Sequence, residues 1–198
     1  MDRQPNLEGQ QLTLRPLIET DRDALYAVAA DPALWALHPA HDRWRRPVFN
    51  VMFQDALNHG GALAVVERAS GAIIGSSQFR PSARVPGAVE IGWTFLARAH
   101  WGGAANRELK RLMLAHALAS VESVVFRVAA TNLRSRGAME KIGGQLMDMT
   151  EEVTFPDGRT VEHVFYVIDR TAFAQGPLIS SANSAFAEDT GPARRSPD

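Results

Sequence analysis

Glu90 stands inside an apolar run, Val89-Glu90-Ile91-Gly92-Trp93-Thr94-Phe95-Leu96, a setting that would suit it to taking a proton. A carboxyl among apolar walls loses the hydration its charged form needs, so its pKa should rise toward the range in which it accepts a proton near neutral pH, directly or through a water. If the run is a strand, side chains alternate: Val89, Ile91, Trp93 and Phe95 share one face, and Glu90, Gly92, Thr94 and Leu96 the other. Gly92 then leaves room beside the carboxylate for a substrate. The competing reading is a salt bridge from Glu90 to an arginine such as Arg80 or Arg98.

Two further segments offer groups for an anion and for a second proton. Ala97-Arg98-Ala99-His100-Trp101-Gly102-Gly103-Ala104-Ala105-Asn106 follows the run and opens a helix. The first N–H groups of a helix have no intrahelical acceptor and attract phosphate, and small residues at 102–105 let a ligand approach the backbone. Neither the GxGxxG fingerprint nor the Walker lysine pattern is present, so a plain glycine turn competes with that reading. Further on, Thr131-Asn132-Leu133-Arg134-Ser135 begins another helix; capping alone explains Asn132 and Ser135, yet the helix start should face the same cleft.

The elements that must position these groups can be read from periodicity. Leu12-Thr13-Leu14-Arg15-Pro16-Leu17 reads as a short edge strand. A helix follows, with Thr20 and Asp23 spaced as a capping box and Leu25, Val28 and Ala29 on its apolar face, ending at Asp31-Pro32. After an irregular stretch at 33–46 comes a second helix with Phe49, Phe53, Ala56 and Leu57 on one face. Strands are expected at 62–67, 72–79 and 88–96, the first two joined through Ser70-Gly71. A helix at 103–119 places Leu109, Leu112, Met113 and Ala117 inward, with Arg107, Glu108, Lys110 and Arg111 mostly away from that face. A buried strand at 124–129, a helix with Ala138, Met139 and Ile142 inward, and strands at 145–155 and 159–168 about Pro156-Asp157-Gly158 complete the order. The helix between the strands at 88–96 and 124–129 makes them parallel neighbours, and a crevice forms where their carboxyl ends deliver two helix N-termini. Residues 176–198 have the composition of a disordered tail.

Composition narrows the classes. With 198 residues the chain suits one domain plus a tail, and 45% apolar and 22% charged residues at net charge −1 give no sign of a nucleic-acid partner. No cysteine is present, which excludes disulfides, thiolate metal sites and cysteine nucleophiles. Neither a signal-peptide core nor an apolar run of spanning length is seen, so no membrane partner and a cytoplasmic location are expected. The six histidines, His38, His41, His59, His100, His116 and His163, lack ligand spacing, and no metal is expected.

Taken together, these segments resemble the GNAT acyltransferase superfamily, in particular its branch of ribosomal-protein N-terminal acetyltransferase-like enzymes. The likeness runs from Leu7 to about Phe173: the opening strand at 12–17, Glu90-Ile91-Gly92-Trp93 as the central strand, 101–108 as the pyrophosphate loop and helix, and Asn132-Leu133-Arg134-Ser135 through Glu140-Lys141-Ile142-Gly143-Gly144 as the second cofactor motif. The resemblance implies a mixed α/β domain over 1–173, mostly antiparallel, with about seven strands, four helices and a splayed parallel pair that binds acyl-CoA, followed by a disordered tail at 174–198. It implies an acetyl-CoA-dependent N-acetyltransferase acting on a primary amine (a peptide N-terminus, an amino acid or another small amine) by direct transfer in a ternary complex. Glu90 would be the base and Ser135 the donor to the departing thiolate. Acetyl-CoA would meet Phe95, Leu96, Ala97, Arg98, Trp101, Gly102, Gly103, Ala104, Ala105, Asn106 and Asn132. The chain departs from the usual glycine motif at Ala99 and Ala104, and Arg98 or Arg107 are the candidates to compensate.

The acceptor in such folds is shaped by the irregular stretch and the last hairpin. Trp35 and Trp44 are therefore candidate pocket walls, and Arg43, Arg45 and Arg46 would suit an acidic acceptor; core tryptophans and a solvated basic turn are the competing reading. A catalytically idle acyl-CoA sensor is the alternative function. A homodimer is left open.

Overall fold

The computed structural model describes residues 1–155 and 157–179. Strands β1 (Leu7–Glu8) and β2 (Leu12–Pro16) open the chain and are followed by helices α1 (Arg22–Ala29) and α2 (Arg46–His59). A meander of β3 (Ala62–Glu67), β4 (Ile73–Pro81) and β5 (Val89–Leu96) leads into α3 (Ala104–Leu118). This helix crosses to β6 (Ser123–Ala129), after which come α4 (Leu133–Lys141), the hairpin β7 (Gln145–Thr154) and β8 (Thr160–Asp169), and a short α5 (Arg170–Gln175). All eight strands form one sheet in the order β1-β2-β3-β4-β5-β6-β8-β7. Every neighbouring pair is antiparallel except β5–β6, as the intervening helix requires. This is the mixed sheet expected from the sequence with one more strand, since the two residues of β1 are too few for an alternation to show.

Helices cover the sheet on both faces. On one face α1 and α2 pack through Leu25, Ala29, Phe49 and Phe53 against Ala62, Ala64 and Phe95. On the other, α3 and α4 bury Leu109, Met113, Leu114 and Met139 against Ile91, Val124 and Phe126.

The parallel pair holds for only two residue pairs, Val89 with Val124 and Glu90 with Val125. A bulge in β5 accompanies the separation that follows. Gln78 of β4 faces Gly92 while Ser76 faces Phe95, so Trp93 and Thr94 together oppose Ser77. One extra residue bends the bulged strand away from its former line. Trp93 sits there with φ 53, a left-handed conformation that costs a bulky residue on the order of 1–3 kcal/mol.

The bulge also reverses the side-chain alternation read from the sequence. Trp93 and Phe95 do not share the face of Val89 and Ile91: Phe95 packs on Trp35 beside α1 and α2, with ring centroids 5.2 Å apart. Thr94 and Leu96 leave the face of Glu90, Leu96 joining the core beneath α3 and Thr94 bonding to Lys110 of that helix. Only Glu90 and Gly92 keep their common face; a Cβ built on Gly92 would lie 3.5 Å from Glu90 Oε1.

Three other expectations are corrected. Thr20 and Asp23 form no capping box, because a 3-10 turn at Glu19–Asp21 precedes α1 and Asp21 is buried there, accepting both Arg15 Nη1 and Nη2 at 2.7 Å and Ile18 N–H at 3.0 Å. Glu108 and Lys110 do not face solvent: both are buried, and Glu108 accepts the backbone N–H groups of Gln10 and Gln11, bracing the β1–β2 turn. Ala174 lies within α5 and Leu178 is buried in the core, so the folded chain extends past residue 173. The remainder of the expected tail, 180–198, and Pro156 of the expected turn lie outside the described residues. No helix among the described residues is long and apolar enough to cross a membrane.

Candidate functional site

Where β5 and β6 part, a cleft of about 470 Å³ opens, and residues from six parts of the chain line it. The β5 strand supplies Glu90, Gly92, Phe95 and Leu96, and β6 supplies Phe126 to Ala129. The N-terminal ends of α3 and α4 supply Trp101, Gly102, Asn106, Asn132 and Ser135. The irregular stretch after α1 roofs it with Trp35, His38, Pro39 and Arg43, and the last hairpin adds Val153, Phe155 and His163.

Glu90 is 9% exposed and accepts no hydrogen bond from the described residues. Burial raises its pKa; the charges of Arg127 and Arg80 oppose that rise and Glu151 adds to it, and the net position stays above the ordinary carboxylate value. The ion pair considered for Glu90 is made with neither suggested arginine, since Arg80 bonds to Asp55 at 3.0 Å and Arg98 to Asp31. Instead Arg127 Nε lies 3.7 Å from Glu90 Oε1, while its Nη1 holds Glu151 more closely at 2.9 Å. Arg127 is thus mainly neutralised by Glu151, which leaves Glu90 a carboxylate able to take a proton.

Two helix starts meet at the cleft. Gly102 has φ 70, a conformation that glycine adopts without a Cβ penalty, and Gly103 is the N-cap of α3 with no side-chain cap. No side-chain cap therefore satisfies the first N–H groups of α3, and the positive end of the helix dipole adds to the attraction for an anion. Trp101 donates its indole N–H to Leu96 O at 2.9 Å, and the Arg134 guanidinium lies over its ring, 4.0 Å from the centroid. Arg134 also donates to Leu34 O at 3.1 Å. At the start of α4, Asn132 is buried and its Oδ1 accepts Ser135 N–H at 3.2 Å, so the capping role is present; Ser135 is half-buried, with its hydroxyl free of that cap.

The cleft therefore collects Glu90, Ser135, Phe95, Leu96, Trp101, Gly102, Asn106, Asn132 and Trp35 among the candidates named from the sequence. Others lie off it. Ala97 N–H is taken by Ile74 O at 2.8 Å, Arg98 is held by Asp31, and Ala105 is buried in the core under α3. Gly103 and Ala104 stand just behind the lining at the start of α3. Trp44 packs against the α1–α2 layer, and its carbonyl accepts Tyr26 O–H at 3.3 Å. Of the three arginines of that stretch, Arg45 lies over the Trp44 ring and Arg46 bonds to Asp23, so only Arg43 reaches the cleft. Arg107, a candidate to replace the missing basic residue of the glycine loop, donates to Pro177 O at 2.9 Å; Arg134 is the guanidinium beside the loop.

Arg127, Arg134, His38 and Lys110 were not anticipated from the sequence. For Lys110 a signal existed: it precedes Met113, Leu114 and Ala117 by three, four and seven residues, the spacing of the buried face. Lys110 is 3% exposed, donates to Thr94 Oγ1 at 2.8 Å, and stands 5.4 Å from the centre of the Phe126 ring. Burial lowers its pKa to about 7. Among the described residues, no group of three His, Cys, Asp or Glu side chains is placed to hold a metal ion.

The sequence profile described as "Acetyltransferase (GNAT) domain" matches residues 11–145, about two-thirds of the chain. The chain belongs to the GNAT acetyltransferase family. Solved GNAT structures share its fold. A GCN5-related N-acetyltransferase from Brucella melitensis is similar at TM-score 0.76 and 18% identity, over 96% of this chain and 89% of that one. Mycobacterium smegmatis RimJ in complex with CoA-disulfide matches at 0.64 and 17%, over 88% and 89%. Spermidine N-acetyltransferase from Vibrio cholerae in complex with CoA and spermine matches at 0.65 and 16%, over 84% and 100%. The protein is thus a GNAT acyltransferase.

The buried lysine of this GNAT domain gives a stability test. Because Lys110 has a folded pKa of about 7 against an ordinary 10.5, the unfolded chain holds a proton between those values that the folded chain lacks. Its contribution to stability therefore improves as pH rises from about 7 toward 10.5. Urea unfolding of Lys110→Met beside the unsubstituted protein is expected to show the variant more stable at neutral pH, with its advantage shrinking across that window. A constant difference would mean that Lys110 carries its charge in the fold.

Proposed function

We propose that this protein transfers the acetyl group of acetyl-CoA to a primary amine by direct attack, with Glu90 as the base and Ser135 as the acid. Carrying the proposal is the desolvated Glu90 carboxylate at the point where β5 and β6 part, with its raised pKa and without a hydrogen-bond donor of its own. The uncapped start of α3 and the nearby Arg134 suit the pyrophosphate, and the parted strands suit the pantetheine arm. The CoA species in complex with the Mycobacterium smegmatis and Vibrio cholerae proteins support acetyl-CoA as co-substrate here.

In this reading the neutral amine nitrogen attacks the thioester carbonyl carbon. The N–C bond forms, the C–S bond breaks, and the proton lost from nitrogen goes to Glu90, while the Ser135 hydroxyl hands its proton to the departing sulfur as it takes one back from solvent, to which Glu90 returns its own. A backbone N–H on the edge of β5 beyond Glu90, where β6 no longer pairs, is suited to the oxyanion of the tetrahedral intermediate. Holding both substrates in one water-poor cleft supplies the remainder through orientation.

Thiol release measured against pH tests the base. Glu90→Gln is expected to lower kcat/KM by about 10²–10⁴-fold at neutral pH, with the deficit narrowing as alkaline solution itself deprotonates the amine. An unchanged pH profile would remove Glu90 from that role. Ser135→Ala leaves the Asn132 cap intact, because the cap uses a backbone N–H. Turnover should therefore fall while CoA affinity, read by calorimetry, stays near that of the unsubstituted protein; a loss confined to affinity would make Ser135 a binding residue.

A further inference from the structure

Arg43 is the cleft-lining guanidinium with no acceptor of its own. Arg127 is held by Glu151, Arg134 donates to Leu34 O, and Lys110 donates to Thr94. Arg43 has only His38 Nε2, 3.3 Å from its Nη1, and forms no ion pair among the described residues; the carboxylates that act on it, Asp42 and Asp55, stand beyond ion-pair distance. Its guanidinium lies 5.6 Å from the centre of the Trp35 ring, which fixes it in the roof.

The contact with His38 does not satisfy it either. His38 Nδ1 accepts the backbone N–H of Ala40 at 2.9 Å, so in neutral His38 the proton resides on Nε2. Protonation does not resolve the conflict, since burial and the neighbouring Arg43 and His163 push His38 down to a pKa of about 3. Arg43 Nη1–H and His38 Nε2–H are then two donors facing one another at the cleft wall, and what both lack is an acceptor between or beside them. Donors set in a desolvated wall without an acceptor are costly, and an oxyanion that meets them removes that cost. Among the described residues Glu90 is the only carboxylate lining the cleft, against Arg43 and Arg134, with Arg127 offset by Glu151 and Lys110 brought near neutrality by burial, so the field there still favours a negatively charged guest.

Resting on the acetyl-transfer reading above, we infer that the acceptor is an amine that also carries a carboxylate, which Arg43 and His38 hold while the amine meets Glu90. Planar bidentate geometry suits a guanidinium to a carboxylate in a way that a simple point charge is not.

Matched acceptors test this directly, with CoA titration as a control on the underlying reading. Thiol release is measured for L-glutamate against L-glutamine, L-aspartate against L-asparagine, dipeptides with free against amidated C-termini, and spermidine. Succinate is titrated into the CoA-loaded protein as a readout independent of turnover. The inference predicts that at least one carboxylate-bearing amine exceeds its amide in kcat/KM by about tenfold or more. It predicts that Arg43→Gln brings this ratio toward one and abolishes succinate binding, and that Arg43→Lys restores only part, with CoA affinity unaltered in both. Equal use of acids and amides, preference for spermidine, or absence of succinate binding to the unsubstituted protein would overturn the inference and leave acetyl transfer standing. Failure to bind CoA would remove the reading on which it rests.

Discussion

The parting of β5 from β6 after Glu90 is the constraint on which the site depends. A sheet that continued its ladder there would bury the edge of β5 in backbone hydrogen bonds and leave no room for a ligand. The extra residue at Trp93–Thr94 bends the strand, at the cost of a left-handed tryptophan, and what is gained is a pair of strands joined at one end and open at the other. Everything else follows the opening: α3 and α4 begin at its open end, the Trp35–Arg43 stretch roofs it, and Glu90 lies at its closed end.

The same bulge explains what the sequence could and could not convey. Helix α3, the crossover and the parallel pair were legible because apolar residues at helical spacing stand between two short apolar runs. Glu90 and Gly92 were legible because alternation holds up to the bulge. Beyond it the period-two rule inverts, and nothing in the residue types Trp93-Thr94-Phe95 announces an inserted residue, so simple alternation places Phe95 and Thr94 on the wrong faces. The fates of Arg80, Arg98 and Arg127 depend on which carboxylate each meets in three dimensions, namely Asp55, Asp31 and Glu151, which lie 25, 67 and 24 residues away along the chain. Long-range pairing of that sort leaves no local pattern.

Charge in the cleft is arranged so that two ionisable groups move in opposite senses, both because of burial. Desolvation raises Glu90 and lowers Lys110, which brings a carboxylate and an amine toward neutrality on opposite faces of the parted strands. Burial also lowers Arg43, to about 10, and Arg134, yet both stay protonated at working pH and keep the cleft positive, while Arg127 is offset by Glu151. A site that is positive overall yet contains one buried carboxylate of raised pKa is the arrangement on which the proposed transfer from an anionic co-substrate to an amine rests.

Calorimetric titration of the protein with CoA, repeated on Gly102→Asp, tests the central claim that the parted strands and the start of α3 form the acyl-CoA site. Aspartate tolerates the left-handed backbone at that position better than most residues, and it sets a carboxylate where the pyrophosphate should rest. The account predicts saturable binding of one CoA per chain, weakened by about tenfold or more in the variant. Absence of binding, or equal binding by both proteins, would contradict it.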